Sequence, residues 1–266
     1  MWLRTNAILL SSSPIGESDL LLIFFTEKLG KIKAIAKGAL KSQKRFLGIL
    51  LNLNQLEIEL LSTHSGELGY LLNLASLVKS RLSLSQNPER LASAYALSEL
   101  IEKSLPELEP EPILFELLES GLDGILEARD FEEQIFYYLL RFLEQLGYLP
   151  SLDFCAICGK KLLSRQSRYF FSISKGGFTC ESCRKKSGKS LREIPAGFAQ
   201  ALRAIRRLSP GRPGRIRLSP KDWNLGIELF NDFIAWQMEK PLSSLNFLRQ
   251  MESAQVPSKD KAGPKE

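Results

Sequence analysis

Residues 55–61 read Gln-Leu-Glu-Ile-Glu-Leu-Leu, with Leu56, Ile58 and Leu60 alternating against Gln55, Glu57 and Glu59. Successive side chains of a strand point to opposite faces, so this alternation predicts a β-strand with one buried face. Four more stretches between turn residues read the same way: Trp2 to Leu10, Leu20 to Thr26, Lys31 to Lys37 and Leu68 to Leu74. In the stretch from Lys31, Ile32, Ala34 and Ala36 point one way and Lys31, Lys33 and Lys37 the other. Five short strands in the first 80 residues suggest a small barrel with a basic outer face.

The period changes to helical at Asn87 and Pro88, a cap followed by proline at the first helical position. Helices dominate from there to Gly147. The clearest begins at Asp130, which pairs with Glu133 in the manner of a capping box. Its apolar stripe is Phe131, Ile135, Tyr138, Leu139, Phe142 and Leu146, and Gly147 and Pro150 end it. Two later helices open at Pro195, with Phe198, Leu202 and Ile205 inward, and at Ser219 and Pro220, with Trp223, Ile227, Phe230, Phe233 and Ile234 inward. The expected units are a barrel at 1–80, a first helical part at 81–150, a cysteine module at 151–192, a second helical part at 193–251 and a polar, disordered tail at 252–266.

Four cysteines stand as two pairs, Cys155 with Cys158 and Cys180 with Cys183, and 21 residues lie between the pairs. Each pair suits a tight turn that aims two thiolates at one ion, and together they complete a tetrahedral four-cysteine site, so structural Zn²⁺ is expected. Unmetallated thiols or a redox pair are the alternatives. With every ligand position filled by protein, no metal-bound water is available for catalysis.

Net charge is +6, with 36 Lys and Arg against 30 Asp and Glu. The charge is sorted by region. Residues 97–133 carry twelve acidic residues against Lys103 and Arg129, whereas 31–45 carry Lys31, Lys33, Lys37, Lys41, Lys44 and Arg45 and no acid. The stretch from 160 to 192 holds ten cations and one acid, Glu181. A polyanion fits this layout, as does solvated surface. The cations of 31–45 are the expected phosphate contacts, with Phe46 and Tyr70 as stacking or core residues. A second set, Arg203, Arg206 and Arg207, continues through Arg212, Arg215 and Arg217. Its first three members share a helix face that fits DNA or an acidic peptide, and fits plain solvation equally.

Several chemistries are excluded. The single histidine, His64, has no Ser or Cys partner arrangement. Gly188, Lys189 and Ser190 end like a phosphate-binding loop, but the first glycine of that motif would fall on Cys183. His64 is followed two residues later by Gly66, not by the glutamate of a zinc deaminase. The missing catalytic arrangements predict a non-enzymatic protein, and the apolar run Leu20 to Phe25 is too short for a signal core or membrane span, so a cytoplasmic protein is expected.

The run Ile15, Gly16, Glu17, Ser18, Asp19, then Thr26, Glu27 and Gly30, then Ala36, Lys37, Gly38, Ala39, Lys41 and Ser42 resembles the opening of bacterial RecO proteins. Pro241, Leu242, Ser243, Ser244, Leu245, Asn246, Phe247 and Leu248 resemble the same family near its end. The resemblance implies an α+β chain: an oligonucleotide-binding (OB) barrel followed by a helical domain into which the cysteine module is set. It implies binding of single- and double-stranded DNA and annealing of strands coated by single-stranded DNA-binding protein, whose C-terminal tail the helical domain would receive. It also implies work with RecR to load RecA, at the nucleoid during repair. Arg203, Arg206 and Arg207 are the expected tail contact. A zinc-ribbon transcription or RNA-binding regulator without annealing activity is the alternative.

Overall fold

The computed structural model describes residues 2–41, 45–46, 48–62, 69–162, 168–186, 191–208 and 216–255. The N-terminal strands are β1 (Trp2–Ile15), β2 (Asp19–Thr26), β3 (Gly30–Ala36), β4 (Gln55–Ser62) and β5 (Tyr70–Lys79). They close a barrel in the order β1-β2-β3-β5-β4, in which β3 and β5 are the one parallel pair. Closure depends on β1, which pairs with β4 over Trp2 to Ile8 and with β2 over Ala7 to Ile15, shifting register between Leu9 and Ser11. Such a bulge bends and twists a strand enough for it to serve both neighbours.

Ala7, Leu9, Leu22, Phe24, Ile32, Ala34, Leu56, Ile58 and Leu60 fill the barrel, and Phe46 is buried with them. Alternation is clean in β4, where Glu57 and Glu59 on the other face stay half-buried and Gln55 is buried with its amide donating to Glu119. It is blurred in β1 and β2 because Ile8, Leu10 and Phe25 point outward into a second core shared with the helices.

After a 3-10 turn at Leu82–Gln86, the helical part comprises α1 (Pro88–Ser104), α2 (Pro112–Glu127) and α3 (Phe131–Gln145), then α5 (Ala196–Arg206), α6 (Pro220–Met238) and α7 (Ser243–Gln255) beyond the cysteine module. Asn87 caps α1 by accepting the Arg90 N–H, and Ser219 caps α6 by accepting that of Asp222. The capping box expected at Asp130 is not made: Asp130 bonds no backbone N–H, and Glu133 is buried with its Oε2 accepting the Ile216 N–H at 3.2 Å. Because α3 is enclosed on nearly every side, a carboxylate in its first turn meets a crossing chain before it can fold back on its own helix end. The ring of Phe136 lies against Phe198, Trp223 and Phe230, tying α3, α5 and α6 together.

The segment Pro241 to Leu248 leads into and forms the first turns of α7, with Leu242, Leu245 and Leu248 buried. Its free N–H groups are satisfied from another helix: Glu99 of α1 accepts from the Ser243 and Ser244 amides at 2.8 and 2.9 Å and pairs with Lys103. The helix reaches Gln255, past residue 251, and residues 256–266 lie outside the described set.

Barrel and helices meet through a charge-complementary seam. The Lys31 carbonyl accepts the Leu108 N–H at 2.9 Å, the Lys31 ammonium donates to the Glu102 carbonyl, and Lys33 pairs with Glu107. Gly30, at φ +70°, permits this crossing, since a Cβ there would sit 1.9 Å from the Glu109 carbonyl oxygen. Phe25 and Phe115 pack at 5.7 Å, Lys79 pairs with Asp123 and Glu127, and the buried Arg81 guanidinium pairs with Asp123. The acidic helices and the basic strand thus neutralise one another across the seam. Among the described residues, no helix is long and apolar enough to cross a membrane.

Candidate functional site

The cysteine module is built on a three-stranded antiparallel sheet of β6 (Arg168–Ser172), β7 (Gly177–Thr179) and β8 (Leu191–Pro195), with the short helix α4 (Glu181–Lys186) beside it. The first knuckle is a hairpin in which Phe154 bridges Lys161, the Cys155 amide donates to the Lys160 carbonyl and the Gly159 amide donates back to Cys155. The second knuckle opens α4. The Ala156 amide donates to the Phe178 carbonyl at 2.8 Å and joins the two. Gly177 carries no side chain for a steric reason: a Cβ would lie 2.5 Å from the Ser151 carbonyl oxygen.

These turns bring the sulfurs of Cys155, Cys158, Cys180 and Cys183 within 4.8 Å of one another. The Cys158 and Cys180 sulfurs are 3.7 Å apart. A tetrahedral ion with metal–sulfur bonds of about 2.3 Å has edges of about 3.8 Å, so the four thiols can hold one metal ion with little rearrangement. Burial pushes the Cys155 thiol up, but amides of Cys180, Cys158 and Ile157 bring it below its ordinary value. The Ser182 hydroxyl helps hold Cys180 at about 6, while hydrogen bonding with Cys180 pushes Cys183 to about 12. Protons are therefore shared unevenly within one set, and a bound ion would take their place.

The module is no appendage. Cys155, Tyr169, Phe171 and Phe178 belong to the same buried cluster as the helices, and Phe171 meets Phe233 of α6 edge-on at 5.7 Å. Arg192 of β8 reaches Glu228 and Asp232 of α6.

The cations of the barrel divide. Lys31 is half-buried in the seam, where desolvation lowers its pKa against the pull of Glu107 and Glu102, and Lys33 is held by Glu107. The face of β3 that carries them therefore borders the helical domain, with Lys31 partly covered and Lys33 paired but still exposed. Lys37, Lys41 and Arg45 are exposed beyond the end of that strand. Arg45 donates to the carbonyls of Leu72 and Asn73 and lies over the Phe46 ring, which holds it at the barrel rim. Phe46 is core and Tyr70 half-buried. Lys44 lies outside the described residues, as do His64, Arg212, Arg215 and the Gly188 to Ser190 triplet.

The arginine set also divides, and here the expectation needs correcting. Arg203 does not share an exposed face with its neighbours: it is only 8 % exposed and donates to the Leu152 carbonyl at 2.7 Å and the Tyr169 hydroxyl at 3.0 Å. A guanidinium offers five donors in a rigid fork, which suits a cation wedged between a helix and a loop. Arg206 and Arg207 remain toward solvent, and both approach the Asp153 carboxylate, at 3.3 and 3.4 Å. The sign was present in the sequence. Arg203 follows Ala199, an inward residue of α5, by four positions, one turn along the same face.

Residues 1–81 match the model described as recombination protein O N terminal, and residues 85–246 match recombination protein O C terminal. The chain belongs to the RecO family. A protein named DNA repair protein RecO from Syntrophobacter fumaroxidans is 32 % identical, covering 94 % of this chain and 98 % of the relative. One from Geobacter metallireducens is 30 % identical over 94 % and 98 % of the two chains. Another from Bacillus pumilus is 29 % identical over 95 % and 96 %. The junction between the two matched regions falls between Arg81 and Ser85, where the barrel hands over to the helices. This chain is thus a DNA repair family member with an OB-like barrel, a helical domain and a metal-competent cysteine cluster.

Proposed function

We propose that this RecO-family chain binds single- and double-stranded DNA, anneals complementary strands coated by single-stranded DNA-binding protein, and acts with RecR to load RecA at gaps, without catalysing a covalent step. The observation that carries the reading is the exposed cation group Lys37, Lys41 and Arg45 at the rim of a closed five-stranded barrel, in a chain of this family. Phosphates held by those side chains leave base edges free, so a strand remains competent to pair.

Zn²⁺ is the metal the four sulfurs suit, held by Cys155, Cys158, Cys180 and Cys183. When bound it supplies a cross-link between two knuckles and no reactive water. The chain's own residues do the rest: Arg203 fixes the module on α5, and the Phe171–Phe233 contact fixes it on α6.

The tail of single-stranded DNA-binding protein would recruit the factor. Since Arg203 is internal, the tail is better received by an apolar groove of about 360 Å³ between α1 and α7, lined by Pro88, Leu91, Ala92, Tyr95 and Phe247. Fluorescence polarisation of a labelled tail peptide tests this. Tyr95→Ala and Phe247→Ala should each weaken binding about tenfold, and unchanged affinity would remove the groove from the account. Annealing itself is tested by salt: its rate should fall steeply as salt rises, because phosphate contact releases counterions. A chain that binds DNA with no acceleration of pairing would instead fit a binding-only regulator.

A further inference from the structure

We infer that the tip of the first cysteine knuckle is a second single-strand binding surface, on which Phe154 stacks a base and Lys160 and Lys161 hold the adjoining phosphates. The inference deepens the annealing reading, which needs a second strand held apart from the one at the barrel rim.

Four observations converge on it. Phe154 is 50 % exposed and Ile157 is 41 % exposed, although each sits next to a metal-competent cysteine in a hairpin. A small module gains by burying such side chains, so their exposure leaves apolar surface available to a ligand. Phe154 lies directly across the hairpin from Lys161, which places an aromatic face beside an exposed ammonium. Trp2, more exposed still at 57 %, lies opposite the uncharged Leu61 in its strand pair.

The charge around the tip is also net positive, even against the two formal negative charges of four thiolates on a divalent ion. Asp153 adjoins Phe154, but it is shared by Arg203, Arg206 and Arg207, with Arg207 71 % exposed. One carboxylate among three guanidinium groups leaves an excess of positive charge beside the knuckle. Lys160 and Lys161 are exposed on the tip itself, and residues 160–192 hold ten cations against the single acid Glu181. Finally, the barrel does not provide stacking through Phe46, which is buried in its core. An exposed aromatic among cations is the combination by which proteins hold single strands without reading their sequence. An acidic protein segment would satisfy the charge but gives no role to the aromatic face.

The test uses the full-length, metal-loaded chain and a fluorescein-labelled oligothymidine, with polarisation read over a range of salt. Phe154→Ala and Phe154→Leu should each weaken single-strand binding about tenfold, and Phe154→Trp should retain it, since leucine keeps apolar area but offers no π-face. Lys160→Ala combined with Lys161→Ala should lower the slope of log affinity against log salt by about 1.4, or about 0.7 for each lost phosphate contact. Metal content, measured alongside, identifies any variant that has lost its fold. If Phe154→Ala loses metal, the lysine pair decides the question alone.

Unchanged affinity and slope in these variants overturn the inference. So does a loss confined to binding of an acidic peptide. If Lys37→Ala, Lys41→Ala and Arg45→Ala combined still abolish binding while the knuckle variants do nothing, the barrel reading stands and the knuckle reading falls. If the parent chain binds no DNA, both fall.

Discussion

The guanidinium of Arg203 lies 4.6 Å from the centre of the Tyr169 ring while one of its nitrogens takes the hydroxyl of the same side chain as acceptor. It therefore touches both the face and the rim of one residue of β6, lies 5.6 Å from the centre of the Phe178 ring of β7, and reaches Leu152 and Asp153 at the base of the first knuckle. A helix residue thus sets the position of the cysteine loops.

Removing that cation should cost more than a surface ion pair. Arg203→Ala removes a buried guanidinium that donates to the Leu152 carbonyl and to the Tyr169 hydroxyl, a loss of about 3 kcal/mol in urea unfolding. Arg203→Lys should recover little of it, because a point charge cannot span the three acceptors. Full recovery by lysine would reduce the residue's role to charge alone.

The cap on α7 predicts a pH dependence. Burial raises the pKa of Glu99, but bonds from Lys103 and from the Ser244 and Ser243 amides outweigh it, so the folded carboxyl titrates below its ordinary value. A depressed carboxyl contributes stability that is present above its unfolded pKa and lost as pH falls through the folded one. The parent should lose stability relative to Glu99→Gln as pH falls through and below about 4.5. At neutral pH the variant should be about 1 to 2 kcal/mol less stable than the parent, measured by chemical unfolding at each pH. A gap between the two that stays constant with pH would contradict the cap.

The seam and the rim should respond differently to mutation. Lys37→Ala, Lys41→Ala and Arg45→Ala combined should lower the salt slope of single-strand binding by about 2, at about 0.7 per contact. Lys31→Ala and Lys33→Ala should change that slope little and should loosen the packing of the barrel on the helices, seen as faster amide exchange around Leu108. The reverse pattern would return the DNA surface to the strand itself.

Much of this was legible in the chain. The Gln55–Leu61 alternation, the cysteine spacing and the α3 stripe each depend on residues within a few turns of one another, where local geometry fixes the outcome. The seam was not legible, because Lys31 and Lys33 meet Glu102 and Glu107 some seventy residues on, and strand alternation reports only that a face is polar, not what covers it. Arg203 escaped for a different reason. Charge dominates the reading of an arginine-rich helix, whereas the burial of Ala199 one turn earlier decides which arginine turns inward.

Withdrawing the metal should be felt beyond the module. Apparent zinc binding in four-ligand sites is worth about 10–16 kcal/mol, so chelation should unfold the knuckles, and the Phe171–Phe233 contact should carry the disturbance to α6. Amide exchange of β6, β7 and the adjoining face of α6 should accelerate together on chelation while barrel amides keep their protection. Unchanged exchange in α6 would make the module thermodynamically separate.

Strand annealing tests the central claim most directly. Complementary oligonucleotides carrying a donor and an acceptor dye are coated with the cognate single-stranded DNA-binding protein and mixed with this chain without ATP. Duplex formation should accelerate well above the protein-free rate, and the combined Lys37, Lys41 and Arg45 alanine variant should lose most of that gain. A parent rate no faster than the protein-free control, under conditions where the chain is bound to the strands, would contradict the account.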